Sequence, residues 1–230
     1  MISENSIQQT KALAERKFLS GVYQWMVLAL ALSGAVAYFV AGNSAIQRLV
    51  FGNTFVFFGL IIGELALVWW LSASIRTISV TAATIAFLGY SALNGITVSS
   101  VLLLYTGASV ARIFAITALM FGAMSFYGLK TKSDLNSMGR YLVMAVIGII
   151  IASVVNLLVG ATWLDVLISM VTVVVFTGLT AYDTQKLLAA ARSSDGSDTY
   201  QKVAIIGALK LYLDFVNIFL ALMRLFGRRN

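Results

Sequence analysis

Residues 77–111 read TISVTAATIAFLGYSALNGITVSSVLLLYTGASVA and contain no charged side chain. A second such run, YLVMAVIGIIIASVVNLLVGATWL, fills residues 141–164 between Arg140 and Asp165. Uncharged apolar stretches of about 20 residues or more match the hydrocarbon thickness of a bilayer when wound into α-helix. Working outward from these two runs, the rest of the chain has the same character. Of its 230 residues, 60% are hydrophobic and 11% are charged, against about 25% charged in an ordinary soluble domain.

The hydropathy pattern predicts an all-α membrane protein, a seven-transmembrane-helix bundle with spans near 20–41, 53–74, 79–104, 111–129, 141–160, 164–186 and 203–226. Residues 1–19 form a polar N-terminal tail, and 20–230 a single transmembrane domain. Asn43, Gly52-Asn53, Gly107 and Gly160 punctuate the turns. The first 17 residues are polar and the apolar run from Phe18 is longer than a signal h-region, so no cleavable signal peptide is expected. Trp25, Trp69, Trp70, Tyr141 and Trp163 fall where interfacial aromatic anchors belong.

Lys and Arg are distributed unevenly over the two faces. The N-terminal side carries Lys11, Arg16, Lys17, Arg76, Lys130, Lys132, Arg140, Lys186, Arg192 and Lys202. The opposite side carries Arg48, Arg112, Arg224, Arg228 and Arg229. The positive-inside rule then places the N-terminus in the cytoplasm, and an odd number of spans places the C-terminus outside. A last segment that only half crosses would bring both termini to one face.

There is no cysteine and no histidine, which excludes thiol nucleophiles, disulfides, imidazole metal sites and a Ser-His-Asp hydrolase. The scattered basic residues do not suggest nucleic-acid binding. What chemistry the chain carries must come from carboxylates at membrane depth, which are costly there and usually functional. Two lie in the last fifth of the chain: Asp183 in the sixth span and Asp214 in the seventh. If the sixth helix runs to about Arg192 and the seventh starts near Lys202, the two sit about 13 and 18 Å along their helices from the same membrane face. Ser169, Thr172, Thr180 and Asp183 share one helical face; Lys210, Asp214, Asn217 and Arg224 share another. Facing carboxylates in a low dielectric are expected to share one proton and titrate as a unit. A hard cation such as Ca²⁺ can replace that proton. The alternative is that Lys210 neutralises Asp214 and Lys186 neutralises Asp183. Glu64, in the middle of the second span, either lines the same polar path as Asn217 or is hydrogen-bonded against a neighbouring helix. Arg76 lies twelve residues further on, about 18 Å away, too far to pair with Glu64. Asn94-Gly95 marks a polar spot in the third span, and Gly59 and Gly63 a GxxxG in the second.

GLTAYDTQKL (178–187) and LKLYLDFVNIFLALMRLFG (209–227) resemble the signature of the transmembrane Bax inhibitor motif (Bax inhibitor-1) family, bacterial inner-membrane members in particular. GYSALNGITVSSVLLLYT (89–106) and FGAMSFYGLKTKSDLNSMG (121–139) fit as well. The resemblance implies a seven-helix fold in which a two-aspartate latch near the cytoplasmic side gates a pH-sensitive calcium leak. By motif the latch is Asp183 and Asp214, with Arg76 as counter-ion. It implies no enzyme and no bound cofactor, with Ca²⁺ and protons as the ions handled and the lipid bilayer as surroundings. Because bacterial members are linked to a membrane-bound AAA protease, a non-conducting regulator of such a partner is the alternative. An intramembrane aspartyl protease would also use two aspartates. It would need a Gly-x-Gly-Asp motif and a Pro-Ala-Leu motif, and this chain has no proline.

Overall fold

The computed structural model describes the backbone of residues 4–75, 77–192 and 198–230, and their side chains from residue 12 onward except 198 and 199. Among the described residues there are eight α-helices: α1 (Glu4–Ala41), α2 (Ser44–Phe51), α3 (Thr54–Ser74), α4 (Val80–Leu104), α5 (Gly107–Lys130), α6 (Asn136–Val159), α7 (Thr162–Arg192) and α8 (Asp198–Phe226). All but α2 contain a stretch long and apolar enough to cross a membrane, seven in total. The all-α membrane fold expected from the sequence is the fold observed.

Two local features differ from expectation. The polar stretch anticipated as a tail is helical from Glu4 and continuous with the first span. Its residues, rich in Glu, Gln, Lys, Ala and Leu, contain no glycine before Gly21 and favour helix intrinsically. The first connection also holds a helix of its own, α2. Asn43 caps it by accepting hydrogen bonds from the Ala45 and Ile46 amides, and Asn53 does the same for α3 from Phe55 and Val56. These caps satisfy amide donors left open at a helix start. At the end of α6, Gly160 takes the left-handed conformation (φ 68°) that glycine adopts without penalty.

The chain forms two compact units. The first comprises Met1–Leu104 and Ala189–Tyr212, the second Tyr105–Leu188 and Leu213–Asn230. In the first unit α1 packs along α4 and α3 rests on α4. Gly95 marks a close approach: a Cβ there would lie 2.6 Å from the Ser33 carbonyl oxygen. In the second unit, a Cβ on Gly128 of α5 would lie 2.3 Å from the Ala181 carbonyl oxygen of α7. Small residues let membrane helices approach this closely, where apolar burial gives little drive because lipid tails are equally apolar. Gly59 and Gly63, by contrast, have no neighbour within 4 Å of their Cβ positions, so the GxxxG makes no close contact among the described residues.

Burial is graded across the spans. In α8, 61% of the apolar window is buried and in α7 44%, against 11% in α3 and 6% in α6. The last two spans are thus the most buried, and α3 and α6 the least. Both ends of α8 are tied. At its start the Tyr200 hydroxyl donates to the Ala14 carbonyl of α1 (3.2 Å) and its ring lies 4.4 Å from that of Phe18. Beyond its end, the Thr106 amide donates to the Arg228 carbonyl (2.9 Å) and the Arg228 amide to Ser109 Oγ (3.0 Å). α8 thus runs from the beginning of α1 to the α4–α5 turn. The Tyr200–Phe226 span is long and apolar enough to cross a membrane.

Candidate functional site

Asp183 and Asp214 are both buried, at 8% and 3% exposure, and both belong to the second unit. The polar stripe read on α7 is an inward face: Ser169, Thr172 and Thr180 are buried with Asp183. Thr172 and Thr180 donate to carbonyls of their own helix, Ile168 (2.7 Å) and Phe176 (2.8 Å). That leaves Asp183 as the ionisable group of the stripe.

Helix α5 gauges the relative depth of the two aspartates. Ser125 Oγ accepts a hydrogen bond from the Thr184 hydroxyl (3.4 Å), next to Asp183. One turn away on α5, the Phe121 ring packs on Phe215, next to Asp214, with centroids 5.7 Å apart. Residues four apart share a helical face and differ in height by about 6 Å. The sequence neighbours of both aspartates therefore pack against adjacent turns of one face of α5.

The other residues of the expected site divide. On α8, Asp214 is buried, whereas Lys210 and Arg224 are exposed and Asn217 is half-buried. Asn217 Nδ2 donates to the Leu213 carbonyl of its own helix (2.8 Å). Lys186 Nζ stands 5.1 Å from the centre of the Tyr182 ring, a cation–π contact near the end of α7. Arg76 lies outside the described residues.

Glu64 belongs to the first unit. It and Leu71 are the buried residues of α3. Its carboxylate accepts hydrogen bonds from Asn94 Nδ2 (3.2 Å) and the Thr97 hydroxyl, both on α4. The chain of bonds continues. Tyr212 Oη donates to Asn94 Oδ1 (2.8 Å) and lies 2.7 Å from Ser33 Oγ. Ser33 Oγ also lies 2.7 Å from the Ser91 carbonyl. Four helices, α1, α3, α4 and α8, meet in this buried network. Reading the sequence singles out Glu64 and Asn94 but not Tyr212 or Ser33; the tyrosine inside LYLDF was the available signal.

A second feature had no sequence signal. Gln185, two residues after Asp183, accepts from the Leu135 amide (2.9 Å) and donates to the Ser133 carbonyl (2.8 Å). It holds the α5–α6 connection against α7. Nearby, a Cβ on Gly139 would lie 2.4 Å from the Tyr182 ring.

Among the described residues, no group of three or more carboxylates is placed to hold a metal ion. A strong resident Ca²⁺ site takes 6–8 oxygen ligands.

The family model described as "Inhibitor of apoptosis-promoting Bax1" matches residues 15–230. The chain belongs to the Bax inhibitor-1 family. Relatives cover it nearly end to end. It is 47% identical over 228 residues to the inner membrane protein YbhL of Escherichia coli K12, covering 98% of this chain and 97% of that protein. A protein of Deinococcus radiodurans is 41% identical over 226 residues, covering 98% and 96%. A membrane protein of Streptococcus pyogenes serotype M1 is 35% identical over 217 residues, covering 93% of each. Family membership thus extends over all seven spans and both aspartate motifs.

Proposed function

We infer that this multi-pass protein resides in the inner membrane and is a pH-sensitive leak for Ca²⁺ or a similar cation, gated by Asp183 and Asp214. The observation that carries the reading is the burial of both carboxylates in one unit, with their sequence neighbours seated on adjacent turns of α5. Two carboxylates in a low-dielectric site hold one proton between them, and that proton keeps α7 and α8 together. Removing it leaves two like charges at close quarters, which favours separation of the helices or entry of a cation. The inward hydroxyl stripe of α7 provides oxygen ligands toward the opposite face, as a hard cation in transit requires. The similarity to an inner membrane protein supports the location.

The test is Ca²⁺ flux into liposomes containing the purified chain, between about pH 5 and about pH 8, compared with Asp183→Asn, Asp214→Asn and the double variant. Flux is expected to rise with pH in the native chain and to lose its pH dependence in the variants. No flux above empty liposomes with inserted, folded protein would overturn the leak. An unchanged pH profile in the double variant would overturn the role of the pair.

A further inference from the structure

The first unit contains a cavity of about 670 Å³ between the beginnings of α1, α4 and α8. Its lining includes Lys17, Phe18, Gly21 and Trp25 from α1, Thr84 from α4 and Tyr200 from α8. The three helix starts lie on the same membrane face, the one that carries most of the Lys and Arg. The volume lies within the ~300–1,000 Å³ typical of small-molecule pockets.

The chemistry of the lining is two-ended. Lys17 is exposed and, among the described residues, is the charged side chain of the lining, with no acidic one beside it there. The carboxylate nearest to it in sequence, Glu15, is engaged by Arg192 Nε at 3.6 Å. Hydroxyls of Thr84 and Tyr200 and the Gln201 amide add polar atoms, while Phe18, Val80, Ala204 and Ile205 make the remainder apolar. The Tyr200 ring packs on Phe18 and its hydroxyl bonds to the Ala14 carbonyl, which builds this wall from α1 and α8 together. Gly21 leaves the wall open: nothing lies within 4 Å of where its Cβ would be.

The geometry points to a binding site for an anionic phospholipid of the N-terminal-side leaflet, with its phosphate on Lys17 and an acyl chain against Phe18, Gly21 and Trp25. A soluble anion would make no use of the apolar wall. A neutral lipid would leave the Lys17 ammonium without a counter-charge at the edge of the hydrocarbon, whereas anionic headgroups are attracted to basic residues placed there. The site stands on the cavity and its charge alone and does not depend on the leak reading.

Trp25 is a built-in reporter. In a chain carrying Trp69→Phe, Trp70→Phe and Trp163→Phe, it is the remaining tryptophan of the four. Its fluorescence is titrated in phosphatidylcholine vesicles with brominated phosphatidylglycerol or brominated phosphatidylcholine. The anionic lipid is expected to reach half-maximal quenching at about a fifth of the mole fraction of the neutral one, the effect of one basic residue near the surface. Lys17→Gln is expected to abolish that preference, and Gly21→Leu to reduce quenching by both lipids. Inorganic phosphate in millimolar excess should not relieve quenching. Equal quenching by the two lipids in the parent, or a preference that survives Lys17→Gln, would overturn the proposal. Relief by inorganic phosphate would show an anion site without a lipid and would equally overturn it. Lys17 is exposed, so the Lys17→Gln arm holds even if Gly21→Leu fails to fold.

Discussion

Asn94 Nδ2 on α4 donates to the Glu64 carboxylate on α3 at 3.2 Å, and Glu64 is the buried polar residue of a helix on which Leu71 is the other buried side chain. A membrane helix has little hydrophobic reason to associate with another, so such a bond helps to hold α3 in place. Interhelical hydrogen bonds in membrane proteins average about 0.6 kcal/mol and reach about 1.7. Glu64→Ala is expected to lower unfolding free energy in a detergent titration by about 1–2 kcal/mol, and Glu64→Gln by less. A double-mutant cycle with Asn94→Ala should return a coupling of roughly 0.6–1.7 kcal/mol. A coupling of zero would show that the contact contributes nothing to docking α3.

Tyr212 joins the same network by its hydroxyl and the aromatic core by its ring. Its ring packs edge-on against Phe87 and Tyr90, with centroids 6.0 and 5.9 Å away. Tyr212→Phe keeps the ring and removes the bonds to Ser33 and Asn94, so a loss of about 1 kcal/mol is expected. Tyr212→Leu also loses the edge-on packing and is expected to cost more, by about 1 kcal/mol or above. Equal stability of the two variants would assign the residue's contribution to the hydroxyl alone.

Gly128 sets how close α5 comes to α7 beside Asp183. Because the atom met by a Cβ is a backbone oxygen at 2.3 Å, no rotamer change relieves the collision. Gly128→Ala is expected to destabilise by about 1–3 kcal/mol, the usual range for overpacking, read as a lower thermal midpoint in detergent. Gly148→Ala on α6 is the control: nothing lies within 4 Å of its Cβ position, and its midpoint should be unchanged or slightly higher. If Gly128→Ala matches this control, α5 and α7 have freedom to move apart at no cost.

Gln185 ties the 133–135 connection to α7 by two bonds to backbone. Gln185→Ala leaves the Leu135 amide without that acceptor, at a cost of about 1 kcal/mol. Hydrogen exchange of that amide should quicken by about five-fold, with amides in the middle of α5 unaffected. Uniform acceleration would mean a global loss of stability instead.

What could be read from the sequence follows from which physics is local. Spans are compositional, so the two charge-free runs revealed them. The inward face of α7 is periodic, so Ser169, Thr172, Thr180 and Asp183 align by their spacing alone, and they are buried together. Asp214 within an apolar run likewise stood out, and it is buried. Tertiary partners have no such period. Glu64 could have lined a path or bonded to a neighbour, and the choice depended on where Asn94 and Thr97 of α4 came to lie. Gln185 reads as an ordinary polar residue near a helix end, and its role exists only because the backbone of 133–135 passes within reach. Helix α2 was lost because eight residues are too few for a hydrophobic period to stand out.

The two ends of α8 make a last prediction about topology. Tyr200 is bonded to the start of α1, while Arg228 is bonded to the turn between α4 and α5. From Tyr200 to Phe226 the candidate span is 27 residues, about 40 Å of helix, enough to cross hydrocarbon and headgroups together. A full crossing by α8 is therefore expected, in place of a last segment that only half crosses. Since the chain has no cysteine, Ala12→Cys and Asn230→Cys each supply a single, exposed thiol. A membrane-impermeant maleimide should label Asn230→Cys in right-side-out vesicles and Ala12→Cys only in inverted ones, the orientation expected from the charge distribution. Labelling with the two sidednesses exchanged would keep α8 as a full crossing and reverse the orientation. Labelling of both thiols from one side would show that α8 does not cross, and would break the link between its end contacts and membrane topology.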